Sequence, residues 1–198
     1  MPFTPTVPVW AALNAANDTS PTYNTDTRTG VALQGGNLLL GTYFDLTEEE
    51  ANELSITATG TLHAGRYRRV LVDSGATAAN VKTGAIGLMG AGQQPQLNRV
   101  TSWDKGIAGA HQGVYLNSVT PGNYGWVQEL GIATLLCGAT ITKAAPNTGD
   151  LINATTAGVV DDPTIQEIVP NSLGIALDPP NPDTKIRVIL SYLPALQG

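Results

Sequence analysis

Residues 122–192 decide how this chain is read. Residues 122–141 run GNYGWVQELGIATLLCGATI, residues 147–160 run NTGDLINATTAGVV, and residues 172–192 run SLGIALDPPNPDTKIRVILSY. Short alternating apolar runs cut by Gly, Pro, Asn and Asp predict a compact sheet with tight turns. Near the C-terminus Ile186, Val188, Leu190 and Tyr192 share one face, opposite Lys185, Arg187 and Ser191, which is the period of two of a strand. Upstream, Tyr124, Trp126, Gln128 and Leu130 fall on one face of a strand. Gly131 then permits a bend or bulge before the apolar run 132–137. Thr148-Gly149-Asp150 predicts a turn, and 151–154 and 159–160 predict strands.

Outward from this stretch, 114–119 predicts a strand leading to a turn at Pro121-Gly122-Asn123. The region 84–113 holds glycines at 84, 87, 90, 92, 106, 109 and 113 and little periodicity. It reads as a turn into a short strand at 81–87 followed by a loop at 90–96, of the kind that often carries contacts. Residues 67–73 read as a strand. Residues 55–62 alternate between apolar or glycine and hydroxyl-bearing residues, which predicts another. Thr47-Glu48-Glu49-Glu50 is a capping-box pattern and predicts one short helix to about Leu54, while 31–44 reads as a hairpin around Gly35-Gly36.

Residues 1–30 are different. Pro2, Pro5, Pro8 and Pro21 alternate with many threonines, which favours extended backbone without ladder donors. Trp10, Leu13 and Tyr23 are bulky for a disordered tail, so the segment reads as an arm that docks on another surface. The expected architecture is mainly β: a compact β-barrel or β-tulip-like domain at 31–198 with one short helix, preceded by an extended N-terminal arm at 1–30.

Composition limits the function classes. Of 198 residues 13% are charged, against the roughly 25% usual for soluble domains, while 42% are hydrophobic. Thr, Asn, Ala, Gly and Pro take the place of charge, which suits either extensive burial against other chains or a neutral Thr-rich sheet. The net charge of −6 argues against a nucleic-acid partner, because phosphate-backbone affinity comes from Lys and Arg. The one basic cluster, Arg66, Arg68 and Arg69, is too small to reverse this and reads as a solvated strand end or an ion pair to an acidic neighbour. The single cysteine, Cys137, excludes an internal disulfide and sits in an apolar run. No secretory signal and no run long enough for a membrane helix is expected.

No catalytic, cofactor or metal constellation emerges. His63 and His111 are far apart in sequence and have no partner at ligand spacing. Asp150, Asp161, Asp162, Asp178 and Asp183 sit beside turn residues and read as turn stabilisers. Asp73-Ser74-Gly75 superficially matches the aspartic-protease signature but reads as a strand-end turn. Gly87–Gly92 lacks the Lys-Ser/Thr of a phosphate loop. The aromatics Trp10, Trp103, Trp126, Tyr115 and Tyr124 could form a sugar-stacking platform, or Trp126 could anchor a core while the others pack at subunit contacts.

Residues 122–134, 149–158, Leu173-Gly174-Ile175-Ala176-Leu177 and the closing strand resemble the glycine-rich strand pairs of tailed-phage head decoration (capsid cement) proteins. The resemblance spans about residues 60–192, and residues 1–50 have no clear counterpart. It implies a non-enzymatic virion protein, made in the host cytoplasm, that binds the outer surface of an icosahedral shell. There it would act as a small oligomer, a homotrimer by expectation, and clamp neighbouring subunits of the major capsid protein. No cofactor, nucleic acid or membrane is implied. The expected contact residues are Trp10, Leu13 and Tyr23 in the arm, with Trp103 and Tyr115 in the middle region. A different virion part, such as a head fibre base or tail-associated protein, and a carbohydrate-binding β module are the alternatives.

Overall fold

The computed structural model describes residues 41, 43–55, 62–90, 99–102, 104–136, 151–154, 160–161, 172–177 and 185–190. The described elements are β1 (Tyr43–Leu46), α1 (Glu48–Ser55), β2 (Gly65–Val72), a single 3-10 turn (Ala78–Asn80), β3 (Ile86–Gly90), β4 (Arg99–Thr101), β5 (Gly106–Tyr115), β6 (Tyr124–Leu136), β7 (Leu151–Ala154), β8 (Val160–Asp161), β9 (Ser172–Ala176) and β10 (Lys185–Leu190). The protein is mainly β, with one short α-helix among the described residues. The arm at 1–30, most of the expected hairpin at 31–44, and Cys137 lie outside them.

The strands join in one sheet ordered β1-β2-β4-β3-β5-β6-β10-β9-β7-β8, and β2 also pairs directly with β6. That extra pairing closes β2, β4, β3, β5 and β6 into a ring of hydrogen-bonded neighbours. The 13-residue β6 is its spine. Its first half pairs with β2 and, at Gln128 and Val127, with β5; from Gly131 onward it pairs with β10. Between Arg66 and Tyr67 the β2–β6 register shifts, so Arg66 faces Leu130 while Tyr67 faces Gln128. The skipped residue, Glu129, breaks the expected single face of Tyr124, Trp126, Gln128 and Leu130.

Alternation builds two cores with a shared wall. One holds Val70 and Val72 of β2, Val100 of β4, Tyr115 of β5 and Val127 of β6, with Val81, Ala85 and Val119 from the connections. The other packs Ile86, Leu88 and Val114 against Ala133, Leu135, Leu173, Ala176, Ile186, Val188 and Leu190. In β3, Gly87 points away from the second core; a methyl there would lie 2.3 Å from Val100 Cγ1 and 3.2 Å from the Tyr115 ring. Each fully buried aliphatic contributes about 1.5–3 kcal/mol relative to exposure, so the two cores dominate the stability.

Thr47 caps α1 as its sequence predicts. The Glu50 amide donates to Thr47 Oγ1 at 3.2 Å, and the Thr47 amide donates back to Glu50 Oε2 at 2.9 Å. Three expectations are corrected. The strand expected at 55–62 does not begin at Ser55, which closes α1; residues 56–61 lie outside the described set. The strand expected at 114–119 ends at Tyr115 and starts far earlier, at Gly106. The glycine-rich region 84–113, expected to hold one short strand and a loop, contains β3, β4 and β5. Gly87 and Gly113 are strand positions crowded by neighbours: a methyl on Gly113 would stand 2.8 Å from the Gln128 carbonyl oxygen.

Candidate docking face

Among the described residues, two of the sequences that could have signalled chemistry are committed to the fold, while Cys137, Asp150, Asp162, Asp178 and Asp183 lie outside the described residues. Asp73 Oδ1 accepts the Gly75 amide at 2.7 Å, so Asp73-Ser74-Gly75 is a side-chain-closed turn at the end of β2, and Arg99 Nε stands 3.7 Å from Asp73 Oδ2. Gly87–Gly90 lies within β3 and forms no phosphate-binding loop. Tyr67 Oη donates to the His63 carbonyl at 2.8 Å, and burial pushes its phenol up to about 12. Asp104 accepts from Ser102 Oγ at 2.6 Å, Thr77 Oγ1 at 2.5 Å and Asn80 Nδ2 at 3.2 Å, and these donors hold its carboxyl down at about 2. Among the described residues no group of three or more His, Cys, Asp or Glu could hold a metal ion, and no helix is long and apolar enough to cross a membrane.

The three arginines have divided roles. Arg66 is half-exposed and forms a two-pronged pair with Asp45, Nε to Oδ1 at 2.7 Å and Nη2 to Oδ2 at 3.1 Å. Arg68 is 1% exposed; its Nη2 donates to Gln112 Oε1 at 2.9 Å and its Nε meets Glu129 Oε1 at 2.5 Å. Burial is the largest influence on Glu129 and raises its carboxyl, with the Arg68 charge acting against it. Arg69, fully buried, lies with its guanidinium carbon 5.3 Å from the centre of the Tyr124 ring. The ion-pair reading therefore holds for Arg66 and Arg68. Beside this network His111, Gln112, Gly113, Val114, Glu129, Leu173 and Leu190 line a small cleft. Burial lowers the His111 imidazole below its ordinary value, so it is neutral at pH 7.

Of the expected contact residues, Trp10, Leu13, Tyr23 and Trp103 lie outside the described residues. Tyr115 is placed in the first core at 1% exposure, its hydroxyl directed at the Thr101 carbonyl at 3.4 Å, so within this chain it packs and presents no surface. Trp126 is likewise buried, as a core anchor is. The platform reading of the aromatics therefore loses these two.

Exposure points elsewhere. Among the described residues the large exposed apolar side chains are Tyr43 (46%), Ile175 (42%) and Ile189 (42%). Ile189 pairs directly with both Ile132 of β6 and Ile175 of β9, and Ile175 pairs in register with Leu151 of β7. A row of aliphatic residues, Ile132, Ile189 and Ile175, thus crosses β6, β10 and β9. Ile189 lies on the face opposite buried Val188 and Leu190, and Ile175 on the face opposite buried Ala176, while Leu173 is buried at the register shift between β9 and β7. The next cross-strand pair on this face is Thr134 with Arg187, both exposed. The sequence carries only part of the signal: Ile189 interrupts the polar series Lys185, Arg187, Ser191, but a single outward apolar residue does not mark a patch until its cross-strand neighbours are known.

The second patch lies at β1. Tyr43 carries the Arg66 guanidinium 5.7 Å from its ring centre, and Asp45 takes up that cation's charge. The chain then turns into α1, whose first turn is Glu48, Glu49 and Glu50. Glu48 and Glu49 are exposed, and Glu48 Oε2 accepts the Ala64 amide at 3.3 Å. This corner is aromatic and acidic, whereas the β9–β10 face is aliphatic with a cation.

No known protein family matches the chain, and no curated protein matches it. Among solved structures it is similar to the N base of the head fiber gp8.5 of bacteriophage phi29, at a TM-score of 0.43 and 13% identity over 63% of this chain and 92% of that one.

Proposed function

We propose that this chain is a non-enzymatic structural protein of a tailed-phage virion, a decoration protein that attaches to the outer surface of the head shell and clamps neighbouring major capsid protein subunits. The support is the resemblance of residues 122–192 to head decoration proteins, together with one structural observation. The outward face of β6, β10 and β9 carries an in-register aliphatic row at Ile132, Ile189 and Ile175. A surface built this way is suited to contact with protein and offers no reacting group. Low charge fits the same role, since covered surfaces need little solubilising charge. Repeated attachment around a shell would let modest single-site affinity give high occupancy.

The experiment is co-sedimentation with empty, expanded shells of the phage that encodes the chain. Saturable binding that protects the shells against heat or chelator disruption is the expected result. Absence of binding to shells, with binding to glycans on an array, would replace this reading with the carbohydrate-binding alternative.

A further inference from the structure

One edge of β6 changes partner along its length. Gly131 faces both Gly65 of β2 and Leu190 of β10, so β10 lies on the edge of β6 turned away from β2. Gln128 faces both Tyr67 of β2 and Val114 of β5, which puts β5 on that same edge. Among the described residues Glu129 and Leu130, between these two positions, are in register with neither β5 nor β10. The two strands part here, because β5 leaves β6 to pair with β3, where Leu88 faces His111. The small cleft at this fork has the β5 residues His111 to Val114 on one side and Leu173 and Leu190 on the other, and Glu129 also lines it.

His111 is badly placed to take a proton while the fork is closed. Its Nδ1 is buried and has no hydrogen-bond partner. In the imidazolium both ring nitrogens are donors, and a buried charged donor without an acceptor is costly. Leu88 of β3, Leu173 of β9 and Leu190 of β10 offer no side-chain acceptor. Glu129 of β6 is the other titratable group lining the cleft, and its Oε1 meets Arg68 Nε of β2. Arg68 also donates to Gln112 Oε1, so the carboxylate beside the cleft is already engaged by a fixed cation. Solvent is the remaining acceptor, and the fork is the way to it.

We propose that the fork is a proton-operated joint: a proton taken up by His111 parts β5 from the β9–β10 wall and opens the cleft to water, while β2 and β6 stay paired. The joint is closed at neutral pH and opens in acid. Burial lowers the His111 pKa below its ordinary 6.5, which has the matching sign: the closed form binds the proton less readily than the open form, so acid favours opening. Attachment to a phage shell plays no part in the argument, and the test uses the isolated full chain.

The test is amide hydrogen exchange, corrected for its intrinsic pH dependence, between about pH 7.5 and pH 5.5. Amides of 111–114 and 172–176 are expected to exchange several-fold faster at the lower pH, with about tenfold as the ceiling for one group of ordinary pKa 6.5. This acceleration should be nearly insensitive to low urea, because a local opening exposes little surface. Amides of 67–72 in β2 should keep the full urea dependence of global unfolding. His111→Gln is expected to abolish the acceleration at the fork, and His111→Asn takes its place should it fail to fold, as judged by circular dichroism. No acceleration in the wild-type chain, an equal acceleration in the His111 variant, or the same urea dependence at the fork as in β2 would each overturn the proposal.

Discussion

Gly65 on β2 and Gly131 on β6 stand directly opposite each other, and neither strand leaves room for a side chain between them. A methyl on Gly65 would lie 2.1 Å from the Leu130 carbonyl oxygen, and one on Gly131 would lie 2.0 Å from the Ala64 carbonyl oxygen. The pair is part of one line of cross-strand partners, Leu46–Gly65–Gly131–Leu190–Gly174. At this line β6 stops closing the ring with β2 and starts carrying β10. The backbone approach is what lets one strand serve both cores, and Gly131 also adopts φ +95°, a conformation unfavourable for other residues.

Gly131→Ala is therefore expected to destabilise the protein by roughly 3 kcal/mol or more, in the range reserved for strain and overpacking. Gly122→Ala is the control. Its φ is +90°, but the nearest atom to an added methyl is Ser74 Cβ at 4.0 Å, so only the conformational cost of about 1–2 kcal/mol applies. Chemical unfolding midpoints of the two variants measure the difference.

Removing one partner of the buried Arg68–Glu129 pair leaves a charge without compensation. Arg68→Ala and Glu129→Ala are each expected to cost about 3–5 kcal/mol. Glu129→Gln, which keeps an acceptor near Arg68 Nε, should cost less. The double variant Arg68→Met with Glu129→Leu should recover most of the loss, because it removes both desolvated charges at once. A denaturation series on the four variants checks the order.

Two groups of the cleft give pH dependences of opposite sign. Burial lowers the His111 pKa from its ordinary 6.5, so the folded state resists a proton that the unfolded state accepts. His111 should thus cost nothing above pH 6.5 and should reduce stability as pH falls below it. Glu129 has the opposite sign: burial raises its pKa, so its ionised form is penalised in the fold, and the penalty fades as pH falls towards its ordinary 4.5. His111→Gln is expected to flatten the stability curve below pH 6.5 without changing it near pH 8. Thermal midpoints across that range provide the check.

Asp104 should govern part of the acid limb. Its lowered pKa means that stability present above 3.8 is lost as pH falls towards about 2. The group is exposed, so solvent screening reduces the effect to about 1 kcal/mol. Asp104→Asn should abolish that part of the acid transition and loosen the link from Thr77 and Asn80 to Ser102, measured by acid titration of the fluorescence signal.

Legibility in the sequence followed the physics of each segment. The closing strand was plain because one face of β10 is buried: Ile186, Val188 and Leu190 are each 6% exposed or less. The α1 cap was plain because it is local, a three-residue reach from Thr47 to Glu50. The strands β3 to β5 were obscured because their glycines answer to long-range crowding, Gly87 against Val100 and Tyr115, and Gly113 against Val127. That crowding depends on a ring closure which no local window contains. Arg68 and Arg69 were hidden for the same reason. Their burial depends on a β2–β6 pairing between residues some sixty positions apart. The exposed aliphatic row needed the register of β6, β10 and β9 before Ile132, Ile189 and Ile175 could be seen as one surface.

The most direct measurement is a reconstruction of intact phage heads from particles carrying and lacking this chain, compared as a difference map. The account predicts extra density on the outer shell surface, repeated at equivalent lattice positions and bridging adjacent capsid subunits. Density confined to the tail or to fibre stems, or no difference at the head surface, would contradict it.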